Sequence, residues 1–286
     1  MLIIDSNFLC YKAMYAMANI PLTTEEKEVE IIFNFLLQIL SIVEKTGDND
    51  VIFVWDSVES LRKKAYPNYK RRTDKQTPEE TQKKEEAYKQ FTELRNHILP
   101  AMGFINNFEK AGFEADDIIA VIVKSNPNIP FTIVSTDADM FQLLNHHVNM
   151  YNPSKGTYYT KEEFEVDWGI PPTSWPMAKA IAGCKTDTIV GIEGVAEPTA
   201  CKFLRGELKR GRLVYQRITS PEGQSLIMKN LPLVTLPYEI SGILPVDLEK
   251  DHLSIRNFYD TFKAYDFQSF ITNDMFKKWA DAFKLT

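Results

Sequence analysis

The chain has 286 residues, 44% of them hydrophobic, with 33 basic and 39 acidic side chains and a formal net charge of −6. That length buries a sizeable core, either in one large α/β domain or in a catalytic domain with a smaller appendage, and the acidic balance excludes a global basic field as the means of attracting a polyanion. Cys10, Cys184 and Cys201 lack zinc-like spacing and the makings of a disulfide framework, no apolar run is long enough to span a bilayer, and a reducing cytoplasm is the expected setting, with no membrane partner.

In chain order, Leu2-Ile3-Ile4 reads as a first strand ending at Asp5. Thr23-Thr24-Glu25-Glu26 has the form of a capping box, with Thr23 as N-cap, ahead of a helix over Ile31 to Val43 that Gly47 stops. Val51 to Trp55 is a second strand, followed by Asp56 and a basic stretch to Thr77. Pro78 fits the first position of a helix running to about Leu99. Residues Glu114 to Lys124 form a short helix with Glu114, Asp116 and Asp117 in its first turns, and Phe131 to Val134 is a third strand, followed by Asp137 and Asp139. Strand and helix alternate, which predicts a mainly parallel sheet. Thr160-Lys161-Glu162-Glu163 is a second capping box, Pro171-Pro172-Thr173 introduces a helix toward Gly183, and Gly191 to Val195 is a turn before a helix over Thr199 to Leu204. The remainder reads as helical, with connections at Pro221, Pro232, Pro237 and Pro245. The expected division is 1–150 and 151–286.

The acids carry the chemistry. A parallel sheet gathers Asp5, Asp56, Asp137 and Asp139 along the edge where open α/β folds bind ligands. Two carboxylates about 4 Å apart repel by roughly 4 kcal/mol at an effective dielectric near 20, so the cluster predicts raised pKa values or bound cations. Taken singly, Asp5 and Asp56 read equally as turn or cap residues, and Glu114, Asp116 and Asp117 as complements to a helix dipole. Mg²⁺ takes one or two carboxylates directly and keeps several waters, so six or more acids imply two ions, with Mn²⁺ as a substitute. Paired ions suit phosphodiester hydrolysis. Basic residues crowd into Arg62 to Lys75, including Lys70, Arg71 and Arg72, and into Lys202 to Arg217. Tyr66 and Tyr69 interleave with the first group, a pattern fit for base stacking beside phosphate contact.

Leu2-Ile3-Ile4-Asp5, Val54-Trp55-Asp56-Ser57, Pro67-Asn68-Tyr69-Lys70, Glu114-Ala115-Asp116-Asp117, Ser135-Thr136-Asp137-Ala138-Asp139 and Gly191-Ile192-Glu193-Gly194-Val195 occur in this order. Over about residues 1 to 205 the chain resembles the flap endonuclease and 5′-3′ exonuclease family, most of all its compact bacteriophage members. The resemblance implies a PIN-like α/β nuclease domain, a helical arch or clamp over about 57–95, and a helix-turn-helix-type region that holds duplex DNA. It implies a first metal site from Asp5, Asp56, Glu114, Asp116 and Asp117, and a second from Asp137, Asp139 and Asp187. Lys70 and Arg62 would contact the scissile phosphate, Tyr69 would stack on a terminal base, and Arg71, Arg72 and Lys202 would grip the backbone. Gly191 and Gly194 would bring backbone amides to a duplex phosphate. The implied partners are DNA with a 5′ end, flap or branch, with an RNA–DNA hybrid and replication proteins as further candidates, in a host cytoplasm if the chain is phage-encoded.

Two departures from the family pattern carry expectations. Gly183-Cys184-Lys185-Thr186-Asp187 has a thiol where relatives carry an aspartate, and a thiol is a poor Mg²⁺ ligand, so the second site should be weaker and demand Mn²⁺ or more Mg²⁺. Ala196-Glu197-Pro198-Thr199 stands where relatives have another glycine and a basic residue, which weakens the expected duplex contact. The principal reading is a divalent-metal-dependent 5′-nuclease acting in DNA replication. The alternatives are a PIN-type ribonuclease and a non-catalytic DNA-structure-binding protein with a degenerate second metal site.

Overall fold

The computed structural model describes residues 1–18, 22–24, 27–71, 77–238 and 246–286. Its strands are β1 (Leu2–Asp5), β2 (Thr23–Thr24), β3 (Lys27–Glu28), β4 (Val51–Trp55), β5 (Asn107–Glu109), β6 (Phe131–Val134), β7 (Val148–Asn152), β8 (Thr157–Tyr159), β9 (Gly183–Cys184) and β10 (Ile189–Val190). The main sheet runs β5-β4-β1-β6-β7-β8, and every pairing except the antiparallel β7–β8 edge is parallel. The α-helices are α1 (Ser6–Ala16), α2 (Glu30–Thr46), α3 (Leu61–Ala65), α4 (Pro78–Glu93), α5 (Leu99–Met102), α6 (Ala115–Ser125), α7 (Lys161–Trp168), α8 (Trp175–Ala182), α9 (Glu197–Leu204), α10 (Leu213–Thr219), α11 (Pro221–Val234), α12 (Ile255–Ala264) and α13 (Asn273–Phe283). This is the PIN-like α/β architecture.

Strand alternation sorts the sheet into two faces. Leu2, Ile4, Val51, Phe53 and Trp55 pack with α1, α2, α12 and α13, whereas Ile3, Ile52, Val54, Phe131 and Ile133 pack with α6, α8 and α11. Continuing the same parity past the strand ends places Asp5 and Asp56 on the face that carries α6. The register pairs Asp5 with Val54, and Ile4 with both Phe53 and Val134, so β1, β4 and β6 end together. One edge of the sheet therefore presents all three acidic loops.

Several local expectations change. Thr23 lies in the β2–β3 ladder and does not cap a helix: Thr23 pairs with Glu28, and α2 starts only at Glu30. Glu25 and Glu26 lie outside the described residues. Thr160 does form its capping box, with Glu163, and Thr77, ahead of Pro78, forms another with Glu80. Pro221 opens α11 but Pro232 lies inside it, while Pro245 is outside the described residues. A division at 150/151 would cut β7, which the hydrophobic pattern alone did not reveal as part of the sheet. It would also separate α12 and α13 from the core they complete around Phe33, Phe53 and Phe104. No described helix is long and apolar enough to cross a membrane.

Candidate metal centre and nucleic-acid interface

Each acid is fixed by a helix start or a turn. Asp5 is the N-cap of α1: its Oδ1 accepts from the Phe8 amide at 3.1 Å, while Ser135 Oγ donates to Oδ2 at 3.0 Å. Burial and then the charge of Asp56 push the Asp5 carboxyl up to about 7. Asp56 Oδ1 accepts from the Ala115 amide at the start of α6 at 2.8 Å, and burial raises its pKa. Both carboxylates are thus fixed by the amide of a helix start, with Ser135 engaging the second oxygen of Asp5. Asp137 caps the 3₁₀ turn Ala138–Leu143, accepting from the Asp139 amide at 2.9 Å.

Glu114 is the N-cap of α6 and meets three side-chain donors. Lys70 Nζ lies 2.7 Å from its Oε2, Tyr69 Oη donates to the same oxygen at 3.0 Å, and Ser60 Oγ donates to Oε1 at 3.1 Å. Burial opposes its charge, but Lys70 and Arg62 prevail and hold the carboxyl below its ordinary range. Asp116 is different. Its Oδ1 is buried without a hydrogen-bond partner, 3.7 Å from Arg62 Nη1, and desolvation drives its pKa well up.

Arg62 and Asp117 depart from their expected parts. Arg62 is 2% exposed and forks onto Asp117, with Nη1 to Oδ2 at 2.6 Å and Nη2 to Oδ1 at 2.7 Å. Its Nε donates to the Leu233 carbonyl at 3.1 Å, and Tyr238 packs over the guanidinium at 5.1 Å from the ring centre. Asp117 also accepts from the Glu114 and Tyr238 amides. A bidentate pair this enclosed leaves neither group open to a metal or a scissile phosphate; it braces the start of α6. Tyr69 is 3% exposed and packs with the core, yet it lines the cleft beside Lys70, with its hydroxyl on Glu114.

On the other side, Asp139, Cys184 and Asp187 bring one oxygen or sulfur each within 4.8 Å of one another. Cys184 comes from the β9–β10 hairpin and Asp187 from its turn. Lys179 Nζ, from α8, lies 2.9 Å from Asp139 Oδ1. Burial opposes the Lys179 charge, but Asp139 more than offsets this and the pKa rises. Lys179 was missed from the sequence; a single charge within the apolar run Trp175 to Ala182 was the available signal. Lys70 bridges the two groups, with its amide on the Asp187 carbonyl at 2.9 Å and its Nζ 4.0 Å from Asp187 Oδ1.

The cluster opens into a cleft of about 830 Å³ lined by Asp56, Glu114, Asp187, Lys63, Lys70, Arg71 and Arg95, with Tyr11, Tyr88 and Phe91 along its far wall. Residues of α3 and α4 stand on its sides; Arg72 and Lys75 lie outside the described residues. Tyr88 is 47% exposed and its hydroxyl is 2.6 Å from that of Tyr11. The more open rings of the cleft are therefore on α1 and α4, outside the sequence motifs. Gly194 has φ +79°, in the turn before α9, and Lys202 is exposed on that helix. Gly191 is required by packing: a Cβ there would meet the Ala182 carbonyl oxygen at 1.9 Å.

Among the described residues, eight acids (Asp5, Asp56, Glu114, Asp116, Asp117, Asp137, Asp139, Asp187) face only Arg62, Lys70 and Lys179 within this cluster. With the unpartnered oxygen of Asp116, that imbalance fits bound cations. A PIN-like sheet edged with acids beside a cleft of cations and aromatic rings defines the class. Residues 1–169 match the family described as 5′-3′ exonuclease, N-terminal resolvase-like domain. The chain belongs to that family. It is 31% identical over 207 residues to a 5′-3′ exonuclease of Aquifex aeolicus, covering 71% of this chain and 68% of that protein. It is 29% identical over 206 residues to the thermostable DNA polymerase I of Thermus filiformis, covering 71% of this chain but only 23% of the polymerase. Its fold matches a bacteriophage T5 flap endonuclease solved as a pseudo-enzyme-product complex with DNA and metal ions, at a TM-score of 0.70 and 21% identity, over 93% of this chain and 98% of that one.

Proposed function

We propose that the chain is a divalent-cation-dependent 5′-nuclease that hydrolyses phosphodiester bonds at 5′ ends, flaps or primers of DNA during replication. The observation that carries this reading is the excess of acids over cations at the sheet edge, opening directly into the cleft. Asp5, Asp56, Glu114 and Asp116 would hold one Mg²⁺ and Asp137, Asp139 and Asp187 a second, with Mn²⁺ able to replace either. Such ions activate water and neutralise charge developing on the phosphate. The chain's own residues orient the strand. Lys70, anchored on Glu114 and Asp187, places an ammonium at the cleft wall where a phosphate oxygen would lie. Tyr11 and Tyr88 offer ring surface to bases, and Arg71 and Arg95 offer charge to the backbone. The turn at Gly194 and the exposed Lys202 face duplex DNA without reading its sequence.

A labelled 5′-flap DNA and a matched RNA hairpin, each incubated with Mg²⁺, Mn²⁺ or EDTA, test the proposal. Flap cutting in either ion and none in EDTA is the expected result; RNA cutting alone would replace it with a ribonuclease. One observation favours a second reading, a DNA-structure-binding protein that does not cut. Cys184 removes a hard oxygen from the second position, and Lys179 already neutralises Asp139. Flap binding without cleavage in any ion would establish that reading instead.

A further inference from the structure

The three donors Asp139, Cys184 and Asp187 are an unusual set for a hard cation. Mg²⁺ gains its binding energy from charged oxygens and from water arranged octahedrally, and this cluster offers it little. One donor is a sulfur, and one carboxylate is already paired with an ammonium 2.9 Å away. Ions of the zinc type gain from a sulfur bond that Mg²⁺ cannot form, and accept few, mixed ligands.

Geometry supports a single ion. The donor atoms lie within 4.8 Å of one another, and a tetrahedral ion with bonds of about 2.1–2.3 Å holds its ligands about 3.5 Å apart. Side-chain rotation alone spans that difference. The donors also come from elements that hold them still. Asp139 lies in the 3₁₀ turn after β6, while Cys184 pairs with Ile189 across the β9–β10 hairpin, whose turn carries Asp187. The thiol has a neighbour in Thr186, whose Oγ1 is 3.0 Å from Sγ. Cys10 and Cys201 are buried at 0% and 1% exposure and neither belongs to this donor set.

We propose that Asp139, Cys184 and Asp187 form a mixed sulfur–oxygen cation position that selects thiophilic divalent ions, of which Zn²⁺ and Co²⁺ are the type, over Mg²⁺. The inference rests on reading this cluster as the second cation position of the nuclease. It makes the two positions chemically unlike, the first oxygen-only and the second sulfur-bearing. A zinc-type ion is then held at the second position when Mg²⁺ is abundant.

Co²⁺ titrated into the full-length metal-free chain tests this through the near-ultraviolet charge-transfer absorption of a thiolate–cobalt bond. The expected band saturates at one equivalent, persists in a large excess of Mg²⁺ and is displaced by Zn²⁺. It is lost in Cys184→Ser and also in Cys184→Asp, which restores a hard oxygen and keeps a negative donor in place. Circular dichroism of both variants establishes that loss of the band is not loss of fold. No band in the native chain, a band abolished by Mg²⁺, or a band surviving in a folded Cys184→Ser would each overturn the inference. Flap cleavage in Mg²⁺ is measured in parallel. Cleavage without the native band leaves the nuclease standing and ends the cation inference, whereas the band without cleavage in any ion supports the cation position and ends the nuclease reading.

Discussion

Lys70 has φ +48°, a left-handed conformation that costs a non-glycine residue roughly 1 kcal/mol. It is held there by its amide on Asp187 and its ammonium on Glu114, so the backbone is distorted to aim this one cation. Lys70→Ala should slow single-turnover cleavage by about 10²–10³-fold, as loss of one charge-stabilising group does, with little change in DNA affinity; an unaltered rate would remove Lys70 from the chemistry. Arg62 belongs to stability. Arg62→Met leaves Asp117 buried without its partner, and urea unfolding should show a loss of about 3–5 kcal/mol. A variant as stable as the native chain but slow in cleavage would return Arg62 to the phosphate. Asp5 sets a pH dependence: its folded pKa of about 7 lies above the unfolded value near 3.9. Between these values the folded metal-free chain binds the extra proton. Its contribution to stability is fully present below about pH 4 and is lost as the pH rises toward about 7. Urea midpoints in EDTA should therefore fall from about pH 5 to about pH 8 on account of this group. A saturating divalent cation should reverse the slope; a rising midpoint in EDTA would contradict the protonated Asp5. Asp5, Asp56, Asp137 and Asp139 were legible in the sequence because they follow apolar runs and Asp187 only through the family resemblance, whereas the pairing of Arg62 with Asp117 was not legible. Periodicity says nothing about which cation a buried acid meets.

At the level of elements, the β9–β10 hairpin is fitted to α8 by glycine. Gly183 has φ +79° and a Cβ there would lie 2.3 Å from the Gly191 nitrogen, while one on Gly191 would strike the Ala182 carbonyl. Gly191→Ala should therefore lower the melting temperature and, by shifting Cys184 and Asp187, weaken cation binding in calorimetric titration. Gly211→Ala, with open space around it, should do neither. Equal behaviour of the two variants would show the hairpin to be compliant. The turn at Gly191 was visible from its glycines, but not its purpose, since close approach to a phosphate and close approach to a neighbouring backbone call for the same residue. Thr23 shows the opposite limit. A capping-box pattern is local, and the β2–β3 ladder supplies a competing partner in Glu28.

Across the whole molecule, a mainly parallel sheet and the convergence of the acids that follow β1, β4 and β6 were readable from apolar runs alternating with helical segments, whereas β5, β7, β8 and the order of the strands were not. The segment from Ile218 onward carried no motif, yet it supplies the Leu233 carbonyl to Arg62, the Tyr238 amide to Asp117 and the Leu236 carbonyl to Lys124. Asn230 ties α8 to β10 through the Ala180 and Val190 carbonyls. Backbone groups leave no signature in a sequence, which is why this part stayed unread. A fragment ending at Arg217 should lose its cooperative urea transition and bind no divalent cation by calorimetry; a sharp transition with intact binding would show the first part to be autonomous. The clasp on Arg62 also ties the acidic site to the C-terminal end of α11. Exchanging α11 and its following loop between homologues would retune the affinity of the acidic site in a chimera whose every acid is unchanged.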